Sequence, residues 1–130
     1  CVAEDDDMNL YLDKMKAADG IILASPTYYG SCTAQLKIFL ERAGLACMFD
    51  KDRPLRGKVG AALVIQERNG GYAVYSELVN WMLSNEMTVV GSNPLCVINA
   101  KNPFDYENDE KGMKALKMMS KNIISELEKR

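Results

Sequence analysis

The strongest constraint on this chain is a pattern that occurs twice: an uninterrupted apolar run, a loop, then an amphipathic helix. Residues 21–24 (Ile-Ile-Leu-Ala) form the first run and residues 59–65 (Val-Gly-Ala-Ala-Leu-Val-Ile) the second. A strand with one wet face alternates apolar and polar residues. A strand buried on both faces does not, and such strands belong to parallel sheets covered by helices. Ser25-Pro26 closes the first run, because proline lacks the N–H a ladder needs and restricts the residue before it. Thr27, Tyr28, Tyr29 and Gly30 make the loop. Ser31 or Thr33 is placed to cap the helix that follows. That helix carries Leu36, Phe39, Leu40 and Ala43 at helical spacing and is predicted to stop at Gly44. The loop therefore lies at the carboxyl end of a strand, where open α/β sheets bind ligands.

The second unit repeats this logic. Gln66, Glu67, Arg68, Asn69, Gly70, Gly71 and Tyr72 follow the strand, and the two glycines permit positive φ and a close backbone approach to a ligand. The next helix places Tyr75, Leu78, Val79, Met82 and Leu83 on one stripe, with Trp81 beside it. Upstream, Met8, Tyr11, Leu12 and Met15 fall on one helical face. One of Asp5, Asp6 and Asp7 is expected to cap that helix, the others favouring its positive end. Residues 45–58 read as a charged, solvated connection containing Pro54 and Gly57. Residues 88–90 form a third strand. Gly91-Ser92-Asn93-Pro94 interrupts it, and residues 95–98 either resume it or form an edge piece. Residues 101–108 read as a loop. Asp109 caps a last helix whose face carries Met113, Leu116, Ser120, Ile123 and Leu127. Helices alternating with buried strands predict a three-layer α/β fold, and 130 residues suit a single domain over residues 1–130.

Composition removes several functions. With 16 basic and 18 acidic residues the net charge is −2, which gives no electrostatic case for nucleic acid. No apolar run approaches the roughly 20 residues of a membrane span. Cys1, Cys32, Cys47 and Cys96 contain no Cys-x-x-Cys, so zinc and a disulfide scaffold are both disfavoured and free thiols in a reducing cytoplasm are expected. Without histidine, Ser–His and Cys–His hydrolytic chemistry has no base. Met118 and Met119 are expected to fill gaps in the core or at a subunit contact rather than bind metal.

Ala18-Asp19-Gly20, the apolar strand, Ser25-Pro26-Thr27-Tyr28-Tyr29-Gly30, then Gln35-Leu36-Lys37 and Glu41-Arg42 resemble the NADPH-dependent FMN reductase family, its iron–sulfur flavoprotein and multimeric flavodoxin-like branches above all. The resemblance implies a flavodoxin-like α/β/α fold with a parallel sheet. It equates the strands here with the family's third, fourth and fifth, leaving the first strands and the phosphate-binding loop unaccounted for. Residues 1–7 hold no glycine, serine or threonine for such a loop, and a natural chain longer by roughly 40–70 residues at its start is expected. The edge beside residues 21–24 would then be exposed or covered by a partner.

In the family the Pro-x-Tyr-x-Gly loop lies against the FMN ring, and the loop after the fourth strand faces its pyrimidine edge. By resemblance the cofactor-binding residues are Pro26, Thr27, Tyr28, Tyr29, Gly30, Arg68, Gly70 and Gly71. Arg68 is read equally as a solvated turn residue. Cys1 lies where iron–sulfur flavoproteins place the last cysteine of a cluster motif, but one thiolate cannot hold a cluster. Cys32, near a helix N-terminus, is either an activated thiol or a small packed side chain. The implied function is an FMN-dependent oxidoreductase moving electrons from NAD(P)H to a quinone, flavin or metal acceptor. No catalytic side chain and no metal are needed, and a cytoplasmic homo-oligomer without nucleic-acid or membrane partners is expected. A flavodoxin-type electron carrier and a flavin-free α/β remnant are the rivals.

Overall fold

The computed structural model describes residues 6–130. Cys1 and Asp5 lie outside the described residues. The elements run α1 (Met8–Ala17), β1 (Gly20–Pro26), α2 (Ala34–Phe49), β2 (Val59–Gln66), α3 (Gly71–Ser84), β3 (Thr88–Val89), β4 (Val97–Asn99), a 3₁₀ turn (Asp105–Asn108) and α4 (Glu110–Leu127). All strand pairs are parallel.

β2 is the hub. β1 runs along its whole length, from Gly20 opposite Val59 to Pro26 opposite Ile65. On its other side β3 meets Val59 and Gly60, and β4 meets residues 64–66. β3 and β4 thus share one lane, and the interrupted strand resumes at Val97–Asn99, two residues later than the expected 95–98. Alternation along β2 sorts the helices. A Cβ at Gly60 would strike Met82 of α3, while Val59 and Ala61 share a small cavity with Ile123 and Leu127 of α4. α2 packs beside α3, and α1 rests on α2 through an edge-on Tyr11–Phe39 contact at 6.0 Å. Leu40, Val59, Val64, Val74, Leu78, Met82, Cys96 and Met119 fill the interior. Met119 is thus a core residue.

β1 does not end before Ser25-Pro26 but runs through it. The Thr27 amide donates to the Ile65 carbonyl at 2.8 Å. Strand alternation then sends the nitrogen of Pro26 to the side away from β2, where no ladder bond is required. Among the described residues β1 pairs with β2 alone. Its free side leaves Ile22 54% exposed, next to a cavity of about 280 Å³.

Gly44 does not stop α2, which continues to Phe49. A Cβ on Gly44 would sit 2.8 Å from the Trp81 Nε1, and that indole N–H donates to the Leu40 carbonyl at 2.7 Å. Gly44 makes room for a ring, which its place near a helix end conceals in sequence. Residues 45–49 are consequently the last turn of α2, and the connection from 50 to 58 is not merely solvated. Leu55 is buried, Asp50 pairs with Lys16 at 2.9 Å, and Glu86 is gripped by Arg53 and Arg56. In α3, Val74 belongs to the buried stripe and Leu83 is exposed. In α4 the buried stripe is Gly112, Ala115 and Met119, with Leu116 and Ile123 half-buried and Ser120 outside. Asp6, one residue before the N-cap Asp7, accepts the Met8 amide at 3.0 Å, while the Asp7 side chain makes no capping bond. Thr33 caps α2, accepting the Leu36 amide at 3.2 Å, and Asp109 caps α4, accepting the Gly112 amide at 3.0 Å.

Candidate functional site

The site begins with a two-residue hairpin at the end of β1. The Tyr28 amide donates to the Ser31 carbonyl at 3.0 Å, and the Ser31 amide returns to Tyr28 at 3.1 Å. The residues between, Tyr29 and Gly30, have φ of 51° and 78°. Two positive φ values in sequence are the mark of a type I′ turn, which favours Asn-Gly. Tyrosine at the first position costs roughly 1–2 kcal/mol of backbone strain. That strain presents Tyr29 fully exposed at the tip and Tyr28 63% exposed at the base.

The second wall is the turn into α3. Gly70 has a φ of 86°, and a Cβ there would come within 3.0 Å of the Thr27 Cγ2 and 3.2 Å of the Gly30 Cα. The strand-end loops therefore lie in contact, and only glycine lets them close to that distance. Gly71 stands behind the site. It is buried, its amide donates to the Gln66 Oε1 at 2.8 Å, and a Cβ would collide with Val97. Its amide is already engaged, and its lack of a side chain serves packing.

Two cavities flank Thr27. One, of about 780 Å³, is lined by Thr27, Tyr29, Gly30, Glu67, Arg68 and Asn69. The other, of about 510 Å³, has Pro26, Thr27 and Tyr28 on one side and residues 100–104 with Tyr106 on the other. Arg68 is largely exposed and pairs with Glu67 at 3.3 Å, and Lys101 reaches the same carboxylate at 3.8 Å. Thr27, shared by both cavities, carries a buried Oγ1 that has no hydrogen-bond partner among the described residues. A buried hydroxyl left unpaired costs about 1–3 kcal/mol, so such groups are rare without a purpose. An orphaned donor-acceptor between exposed aromatics fits a planar ligand with polar edge atoms, as a flavin ring is.

Three features of the site went unread in the sequence. Ser25 is buried and accepts the Thr33 amide at 3.1 Å, tying the hairpin's far end to β1. Glu77 on α3 accepts the Ser31 hydroxyl and the Cys32 amide. Residues 101–106 are a fastened turn rather than a plain loop. The Asp105 carboxylate accepts both the amide and the side-chain amide of Asn102, holding Phe104 exposed at a φ of 72°. Only the Asn102–Asp105 spacing hints at this in sequence.

The thiols among the described residues are not activated. Burial, and then the Glu77 carboxylate, push the Cys32 thiol above its ordinary value. Burial raises Cys47 as well and takes Cys96 to about 11. All three are buried and free, and no metal-binding cluster occurs among the described residues.

The family model described as NADPH-dependent FMN reductase matches residues 1–102. This chain belongs to the NADPH-dependent FMN reductase family. The chain is 40% identical over 126 residues to an iron–sulfur flavoprotein of Methanosarcina thermophila, covering 95% of this chain and 64% of that protein. It is 38% identical over 126 residues to the iron–sulfur flavoprotein MJ1083 of Methanocaldococcus jannaschii, covering 91% of this chain and 63% of that protein. The chain therefore spans somewhat under two thirds of the length of these curated relatives. A solved structure of RosB, holding an 8-demethyl-8-formylriboflavin-5′-phosphate intermediate, superposes with a TM-score of 0.78 at 20% identity. The match covers 96% of this chain and 53% of RosB. An archaeal flavodoxin matches with a TM-score of 0.58 at 21% identity over 85% of this chain and 69% of that protein. The fold is flavodoxin-like, an α/β architecture with a parallel sheet and flanking helices.

Within this FMN reductase-family fold the predicted site residues divide. Thr27, Tyr29, Gly30 and Arg68 border one cavity, Pro26, Thr27 and Tyr28 the other, while Gly70 sets the spacing and Gly71 packs behind.

Proposed function

We propose that this chain belongs to an FMN-dependent oxidoreductase that moves electrons from NAD(P)H to a quinone, flavin or metal acceptor. Bound FMN supplies the hydride and single-electron chemistry. The chain's residues bind and orient the ring. Tyr28 and Tyr29 offer apolar faces, Thr27 an unpaired hydroxyl for a polar ring edge, and Arg68 a positive charge in the same cavity. The orphaned Thr27 Oγ1 carries the reading, because nothing else in the described chain gives that hydroxyl a use. The same reading places the working protein in the cytoplasm as a homo-oligomer. Exposed Ile38, Leu45 and Phe49 along α2 support the oligomer, and no helix of the described residues is long and apolar enough to cross a membrane.

Titration of riboflavin and of FMN, followed by flavin fluorescence, is the test. Both are expected to be quenched on binding, with similar affinities and FMN weaker than about 1 µM, because Arg68 and Lys101 are already shared with Glu67 and contribute little to a phosphate. Absence of quenching for both ligands would remove the ring site. Tight binding of FMN but not riboflavin would show that the phosphate is held some other way. Oxidation of reduced nicotinamide by the flavin-loaded protein then separates an enzyme from an electron carrier.

A further inference from the structure

We infer that Glu77 is the positioning residue of this site, a carboxylate on α3 that fixes the aromatic hairpin of β1 against the glycine turn of β2. The inference rests on the flavin reading above. Glu77 lies two turns into α3, away from both cavities, and its side chain is 26% exposed. Its Oε2 accepts the Ser31 hydroxyl at 3.0 Å and the Cys32 amide at 3.3 Å. Its Oε1 faces the Lys37 ammonium at 3.4 Å, and Lys37 also pairs with Glu41 at 3.6 Å.

These contacts have a consistent geometry. Ser31 closes the hairpin that presents Tyr28 and Tyr29, and Cys32 is the next residue. Glu77 sits on the helix whose first turn, at Gly70 and Gly71, forms the opposite wall. One carboxylate therefore clamps the two walls to each other. Hydrogen bonds to an ionised acceptor are stronger than neutral ones, and a hairpin strained at Tyr29 needs such a hold to persist. The groups facing Glu77 are the Ser31 hydroxyl, the Cys32 amide and thiol, and Lys37 with its partner Glu41. Burial pushes the Glu77 carboxyl up, but the Cys32 amide, the Ser31 hydroxyl and Lys37 together outweigh it and leave it below the ordinary value. A depressed carboxyl stays ionised above its unfolded range, so the clamp is complete at neutral pH and is lost as pH falls below about 4.

The experiment compares the full chain with E77A and E77Q. Amide hydrogen exchange reads the hairpin, and riboflavin quenching reads the site, since riboflavin has no phosphate to titrate. E77A is expected to speed exchange of the Ser31 and Cys32 amides by about tenfold and to weaken riboflavin by about tenfold, one charged hydrogen bond's worth. Gln keeps the acceptor oxygen, so E77Q is expected to bind within about threefold of wild type at neutral pH. Its affinity should stay flat below about pH 4, where the wild type weakens as Glu77 takes up a proton, with circular dichroism marking the range in which both are folded. Unchanged exchange in E77A would overturn the clamp. Faster exchange with unchanged riboflavin affinity would overturn the positioning role. No quenching by wild type at any riboflavin concentration would sink the flavin reading and the positioning role with it, which the exchange data distinguish from failure of the clamp alone.

Discussion

Replacing Gly44 by alanine gives opposite signs for two views of α2. In an ordinary helix interior Gly→Ala stabilises by about 1 kcal/mol through backbone entropy. Here the new methyl would stand 2.8 Å from the Trp81 Nε1, well inside contact distance, and the indole is rigid. Trp81 must move, straining the packing by about 1–3 kcal/mol. Its bond to the Leu40 carbonyl, 2.7 Å in the wild type, would be weakened by about 1 kcal/mol more. Subtracting the helix gain leaves a net loss of about 1–3 kcal/mol, or a fall in Tm of roughly 3–10 °C for a chain of this size. Thermal denaturation followed by circular dichroism reads it directly. W81F is the control, since phenylalanine lacks the offending nitrogen. In that background G44A should be neutral or stabilising, giving a coupling of about 1–3 kcal/mol in the double-mutant cycle. A rise in Tm for G44A with Trp81 intact would refute the packing argument and restore Gly44 to a helix-ending role.

Thr27→Val removes the orphaned hydroxyl at nearly constant shape, so stability should rise by up to about 1 kcal/mol while riboflavin affinity falls. A loss of stability measured in urea would mean that the hydroxyl already has a partner. Tyr28→Ala should weaken riboflavin by roughly five- to tenfold and leave Tm within about 2 °C, because the side chain is largely exposed and its hairpin bonds are main-chain. A large fall in Tm with unchanged affinity would mark Tyr28 as structural. Asp109→Ala should cost about 1–2 kcal/mol, since the carboxylate caps α4 and also accepts the Asn99 amide at 2.7 Å. Burial raises the Asp109 carboxyl, but the Asn99 and Gly112 amides prevail and hold it low. Its contribution is therefore complete above about pH 4 and lost below, and acid titration of wild type against D109A should show that difference.

Much of the architecture was legible because burial on both faces leaves its mark in composition. Residues 21–24 and 59–65 could hardly be anything but parallel strands, and the loops after them had to meet at one sheet edge. Glycines were legible only where a turn needed them. Gly70 is a turn residue and was read so, whereas Gly44 and Gly71 answer to Trp81, Val97 and Gln66, which come from distant elements. The same limit hid Glu77. Its spacing on α3 is that of any surface glutamate, and its contacts to Ser31 and Cys32 span 46 and 45 positions of chain. The turn at residues 101–106 was missed for a different reason, a single aspartate organising its own neighbours without any apolar periodicity to announce it.

The one-sided pairing of β1 has a thermodynamic consequence. Among the described residues β1, which leads into Thr27 and Tyr28, is secured by β2 along one margin only, so its local opening should be the least costly motion that reaches the site. Whatever seats itself on the free margin, a strand of another molecule or of any polypeptide able to pair there, would suppress that opening. A ring bound at the strand end would suppress it too. Two ligands that both disfavour the same open state must strengthen each other, by equal factors in the two directions. The backbone margin of β1 and the pocket at its tip are in this sense a single linked system, whose coupling energy is bounded by the free energy of opening that one strand.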